Sequence, residues 1–144
     1  MTRMMNNRMQ AIVHHWPVRI YYEDTDMQGI VYYANYLKYL ERARTEFLRE
    51  KGFEQDYLIE EQGIAFAVRS VQMDYIKPAK FNDELIVTTE IKKLKRVSLV
   101  FYQTVIRPAH NNEIINTATI KVASLDAHSM KIKPIPTNMI EQLT

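Results

Sequence analysis

The 144-residue chain contains no cysteine. Disulfides and thiolate-held metals are thereby excluded, and the composition fits a reducing compartment, with the cytoplasm as the expected location. Glycine is almost as scarce, with only Gly29, Gly52 and Gly63. Three glycines so far apart form neither a phosphate-cradling loop nor a dinucleotide fingerprint, so any bound phosphate must be held by side chains or a helix end. There is no GxSxG, so a serine elbow is not indicated. His14, His15, His110 and His128 show no HExxH or comparable ligand spacing, and no metal site is expected. The formal charge is only +2 with no long basic run, which gives no ground for a nucleic-acid partner. No apolar run approaches the length of a signal peptide or a membrane span.

What is present is ordinary for a globular protein, with 47% apolar and 25% charged residues. The length fits one domain, large enough to bury a core without staples. Residues 1–17 (MTRMMNNRMQAIVHHWP) are rich in Met and Asn without a period and read as a loosely ordered extension. The domain is expected over 18–144.

Val18 to Tyr22 is β-branched and aromatic, and reads as a strand. A polar loop, Glu23 to Gly29, follows. From about Tyr33, apolar residues recur at helical spacing (Tyr36, Leu37, Leu40, Ala43, Phe47, Leu48), with Gly52 placed as a left-handed C-terminal cap. A shorter helical piece is expected over Gln55–Glu61. Beyond Gly63 the strand-like runs are Ile64–Ile76, Glu84–Lys92, Val97–Ile106 and Ile114–Leu125. Their breaks are Lys77-Pro78-Ala79, the basic turn Lys93 to Arg96, and Arg107 to Asn112. Connections this short join antiparallel strands. A last short strand is expected near Lys131, then a closing helical turn. The class is α+β, one long helix against about five long antiparallel strands. Long apolar sheet edges invite pairing with another copy, so a homodimer or higher oligomer is expected.

The chemistry is best sought where the first loop meets the long helix. Helix N-termini carry unpaired N–H groups and a partial positive charge, which favour a nearby carboxylate and offer donors to a carbonyl oxygen. Asp24 and Asp26 lie in that loop, and an Asp there suits acyl transfer as nucleophile or as general base for water. The competing reading of either Asp is an N-cap or an Asx turn.

The stretch YYEDTDMQGIVYYANYLKYLERAR (21–44) closely resembles the signature of the 4-hydroxybenzoyl-CoA thioesterase-like hotdog enzymes, and within them the Tol–Pal-associated acyl-CoA thioesterases. FAVRSVQMDYIKPAKFNDEL (66–85) resembles the same branch, as does the basic turn followed by a Ser-bearing strand. The resemblance spans about residues 18–136. It implies a hotdog fold, a long helix wrapped by five or six antiparallel strands, and hydrolysis of acyl-CoA or acyl-carrier-protein thioesters. It implies Asp26 of the DxxGIVY motif as the catalytic carboxylate, and the backbone N–H of Tyr33 as the group polarising the thioester carbonyl. Gly29, Ile30, Val31 and Asn35 are the implied substrate-binding residues of the loop and helix start, against the plainer reading of Asn35 as a surface or capping residue. Lys95, Arg96 and Ser98 are implied to meet coenzyme A phosphates, against the plainer reading of Lys92, Lys93, Lys95 and Arg96 as a solvated turn. No metal and no prosthetic group is implied, coenzyme A being part of the substrate.

Many members of the Tol–Pal branch carry His where Tyr33 stands, whereas the hydroxybenzoyl-CoA branch has Tyr. An aromatic-CoA substrate is therefore the second enzymatic expectation. A third, from a different class, is a binding module that recruits carrier protein or lipid-synthesis enzymes near the inner membrane. The implied assembly is a dimer or tetramer with sites between subunits.

Overall fold

The computed structural model describes residues 13–144, so residues 1–12 of the expected extension lie outside the described residues. The first strand lies further toward the N-terminus than Val18–Tyr22. It is β1, His14–Arg19, in which His14, Trp16 and Val18 alternate inward with His15, Pro17 and Arg19. Two histidines and a proline mask this period-two pattern in the sequence. Pro17 is tolerated because β1 is an edge strand. Tyr22–Asp24, expected at the end of the strand and in the following loop, forms a single 3-10 turn instead.

The long helix, α1, spans Asn35–Glu50 and buries Tyr36, Tyr39, Leu40, Ala43, Phe47 and Leu48. Tyr39 takes the place expected for Leu37, which is 44% exposed. The helix ends as predicted, with Gly52 at φ +94 and the Phe53 N–H donating to the Leu48 carbonyl at 2.8 Å. A short α2, Gln55–Tyr57, runs into a π turn, Leu58–Gln62. Then come β2 (Ile64–Tyr75), β3 (Glu84–Leu94), β4 (Ser98–Arg107) and β5 (Glu113–Asp126). The last strand expected near Lys131 is only an isolated bridge, Leu125 to Ile132. A final helix, α3, Thr137–Leu143, buries Met139 and Leu143.

The five strands form one antiparallel sheet in the order β1-β3-β4-β5-β2. Helix α1 packs on its inner face, where Leu85, Val87, Leu99, Phe101, Ile115 and Ile120 are buried. This is the hotdog arrangement. At its centre Gln103, fully buried, donates to the Leu40 carbonyl at 3.0 Å and to Thr89 at 2.9 Å, and accepts from Arg44 at 3.0 Å. Every polar atom of that amide is thereby used, as burial requires.

One path differs from the expectation. Residues 76–83 join β2 to β3, but these strands are not neighbours, because β2 pairs with β5. The connection crosses the end of the sheet under the start of α1, with Ala79 fully buried and its N–H donating to the Tyr36 hydroxyl at 3.1 Å. Buried Arg107 holds this crossing by bonding the Pro78 carbonyl, Asp83 (3.3 Å) and Glu113 (3.1 Å). Lys77 from the crossing is hydrogen-bonded to Glu113 as well and holds that carboxyl below its ordinary 4.5, although partial burial pushes the other way. A depressed folded-state value gives stability that is complete above about pH 4.5 and is lost as pH falls through the lower folded value. Urea midpoints of wild type and Glu113→Gln are therefore expected to differ most at neutral pH and to converge in acid.

Candidate active site

The loop carrying both aspartates is a small hairpin. Thr25 bridges Val31, the Asp26 N–H donates to the Ile30 carbonyl at 2.9 Å, and the Gly29 N–H closes the turn on the Asp26 carbonyl at 3.0 Å. Gly29 stands at φ +79, a conformation that disfavours any side chain. The exposed Asp26 carboxylate accepts the Gln28 N–H at 2.8 Å through Oδ1, so the Asx-turn reading is satisfied in the structure. Its Oδ2 has no hydrogen-bond partner among the described residues. A carboxylate with one oxygen anchored and the other open is oriented without being neutralised.

Asp24 is a scaffold for the same hairpin. Its side chain accepts the Tyr21 N–H at 2.8 Å, and its carbonyl accepts from Asn35 Nδ2 at 2.9 Å and from the Tyr32 N–H at 3.3 Å. Asn35 is thus not a cap but a tie between helix and loop. The residue at the cap position is Ala34, and no side chain caps α1. The Tyr33 and Ala34 N–H groups have no acceptor among the described residues. They are the free donors that an uncapped helix start leaves.

Beside them lies an apolar groove of about 450 Å³, lined by Ile30, Val31, Tyr33, Tyr36, Tyr75, Ile76, Lys77 and Pro78. Val31 is held to the crossing by its N–H to the Ala79 carbonyl at 2.8 Å. Tyr75, at the end of β2, donates its hydroxyl to the Tyr33 carbonyl at 3.2 Å and sets its ring edge-on to Tyr33 and Tyr36. Partial burial raises the Tyr75 pKa, which keeps this donor protonated. Ile30 joins the parts, since it lines the groove and pairs through its backbone with Asp26.

Of the residues predicted from the sequence, Ile30, Val31 and Tyr33 come together in this groove, with Asp26 and Gly29 on the adjoining turn and Asn35 tying its base. Tyr32 lies exposed outside it. Lys95, Arg96 and Ser98 are not brought near. They follow β3, whose other end adjoins the crossing, so the strand's length sets them roughly 30 Å away at about 3.3 Å per residue. Lys95 and Arg96 are exposed, Ser98 is buried, and Lys92 is occupied by Glu90 at 3.2 Å. Tyr75, Ile76, Lys77 and Pro78 were missed as groove residues, because Tyr75 is brought there by the pairing of β2 with β5 and the others by the crossing path of 76–83. Among the described residues, no cluster of three or more His, Cys, Asp or Glu side chains is placed to hold a metal ion, and no helix is long and apolar enough to cross a membrane.

Residues 20–143 match the family described as the Thioesterase-like superfamily. The chain belongs to that superfamily. This superfamily member is 46% identical over 121 residues to a Haemophilus influenzae protein named acyl-CoA thioesterase YbgC, covering 84% of this chain and 87% of the relative. It is 40% identical over 134 residues to the Escherichia coli O6:H1 protein named acyl-CoA thioester hydrolase YbgC, covering 93% and 98%. A solved probable thioesterase from Bartonella henselae superposes on it with a TM-score of 0.80 at 31% identity, covering 86% of this chain and 99% of that one. The hotdog thioesterase expected from the DxxGIVY stretch is therefore the family found.

Proposed function

We propose that this thioesterase hydrolyses acyl-CoA thioesters at the junction of the Asp26 hairpin, the apolar groove and the start of α1. The observation that carries the reading is the free N–H of Tyr33, a residue that lines the groove together with Ile30, whose carbonyl is bonded by the Asp26 N–H. The acyl group occupies the groove, and its carbonyl oxygen takes the Tyr33 N–H. With Asp26 as base, the carboxylate accepts a proton from water while the oxygen bonds to the carbonyl carbon. The tetrahedral oxyanion is stabilised by the helix donors. It collapses as the C–S bond breaks, and the departing thiolate takes up the proton. With Asp26 as nucleophile, the carboxylate bonds to the carbonyl carbon as the C–S bond breaks and the thiolate leaves. Water then cleaves the acyl anhydride to the free acid and the Asp26 carboxylate, the thiolate taking up the proton released. Either route runs without a cofactor beyond the coenzyme A of the substrate.

Lys95, Arg96 and Ser98 serve coenzyme A phosphates by charge-assisted bonds in this reading. Their distance along β3 favours a site in which the phosphates are met by another copy's turn. The free edge of β2 carries exposed Val68 and Val71 and suits strand pairing in a dimer or tetramer. Acyl carrier protein as substrate, a cytoplasmic location and association with Tol–Pal or inner-membrane lipid synthesis rest on the family resemblance alone.

A second substrate class is favoured by one feature: three tyrosine rings, Tyr33, Tyr36 and Tyr75, line the groove with edge-on contacts between them. Aromatic acyl groups suit such walls. Thiol release from short, long and aromatic acyl-CoAs tests both readings. Cleavage of at least one class is expected, and the preferred class names the groove's occupant. Failure to cleave any of them would overturn the thioesterase reading.

A further inference from the structure

The start of α1 is held weakly by its own bonds. Ala34 offers no side-chain cap, and although the Asn35 N–H meets the Tyr32 carbonyl at 2.8 Å, the next two turn bonds, Tyr36 N–H to the Tyr33 carbonyl and Leu37 N–H to the Ala34 carbonyl, are both long at 3.3 Å. A free first turn frays, and frayed donors do not stay where a developing oxyanion needs them. The tie from Asn35 fixes the loop behind this turn, but it does not touch the Tyr33–Ala34 peptide.

Tyr75 does. Its hydroxyl donates to the Tyr33 carbonyl at 3.2 Å. That carbonyl and the free Tyr33 N–H belong to the same residue, so a bond accepted at the oxygen restrains the Tyr33 backbone next to the donor. Tyr75 is itself anchored, paired with Asn116 in the sheet and set edge-on to Tyr36, whose hydroxyl is bound by the buried Ala79 N–H. The sheet end, the crossing and the helix start thus form one rigid frame around the donors.

We propose that Tyr75 is a positioning residue for thioester cleavage, its hydroxyl holding the Tyr33 carbonyl and so the backbone of the residue whose free N–H takes the thioester carbonyl. The inference rests on the reading of Asp26 and the helix donors given above. Tyr75 forms no bond with the substrate in the reaction, and its effect is exerted on kcat rather than KM.

Tyr75→Phe keeps the ring and its edge-on contacts and removes only the hydroxyl. Its kcat is expected to fall about ten-fold, less than the loss of an oxyanion donor itself, with KM little changed. Two coenzyme A thioethers separate donor positioning from groove shape, one bearing a ketone in place of the thioester carbonyl and one a plain alkyl chain. Tyr75→Phe is expected to bind the ketone about ten-fold more weakly and the alkyl thioether as wild type does. An unchanged kcat, a rise confined to KM, or equal weakening of both thioethers would overturn the inference. Asp26→Asn run alongside tells the two failures apart. If it is inactive while Tyr75→Phe is fully active, only the role of Tyr75 falls. If Asp26→Asn turns over like wild type, the site reading falls and the Tyr75 inference with it.

Discussion

Replacing Asp26 by Asn is expected to lower thioester turnover by roughly 10²–10⁴-fold, the span of a lost acid–base group, with no change in melting temperature. The separation of the two effects follows from the geometry. The structural work of Asp26 is done by Oδ1, which accepts the Gln28 N–H at 2.8 Å. Asparagine keeps that oxygen and is at home in the same turn, so the hairpin closes as before. What Asn loses is the negative charge and the capacity to take a proton or form an acyl anhydride through the open Oδ2. Single-turnover thiol release and thermal melts on the same samples make the comparison. A variant that keeps the wild-type rate would leave Asp26 as a turn residue only. The carrier-protein binding module would then be the leading reading, and partner capture unaffected by the substitution would support it.

The second large effect concerns the fold. Phe47→Ala is expected to destabilise the protein by about 3–5 kcal/mol, the usual range for truncating a buried phenylalanine. Phe47 is 1% exposed, sits edge-on to Phe101 of β4 at 6.3 Å and lies 5.8 Å from His14 of β1. It therefore joins helix, central sheet and edge strand at once. Against a net stability of about 5–15 kcal/mol, such a loss leaves a marginal domain. Urea titration reads it directly as a lowered midpoint with an unchanged slope. Activity per folded molecule should survive, because Phe47 is remote in sequence and contact from the groove.

Local signals were the legible ones. The apolar spacing through Tyr36, Leu40, Ala43 and Phe47 and the terminating Gly52 placed α1, and the β-branched runs placed four strands within a residue or two. Asp26, Gly29, Ile30, Val31 and Tyr33 were legible because they are contiguous, so one hairpin brings them to one place. Tyr75 and Pro78 were not, since the first depends on β2 pairing with β5 and the second on residues 76–83 crossing under α1 rather than turning back. Nothing local distinguishes those two paths. The choice is made by long-range pairing of β2 with β5 and by burial of Ala79 beneath Tyr36. Likewise β1 was misplaced because His14, His15 and Pro17 interrupt the alternation that Trp16 and Val18 carry.

That crossing has a consequence for how the chain is made. β3, β4 and β5 form a meander whose pairings close tight loops, such as Leu94 with Leu99. β2 instead waits for a partner far downstream, Ile64 meeting Asp126 and Tyr75 meeting Asn116, and β1 waits likewise for β3. Contacts that close long loops form late. On the ribosome, β2 leaves the exit tunnel long before β5 exists, and its apolar residues stay uncovered for that interval. Both outer strands are thus the last to join, and the amide protons of β1, at the edge opposite β2, should exchange ahead of those in the meander.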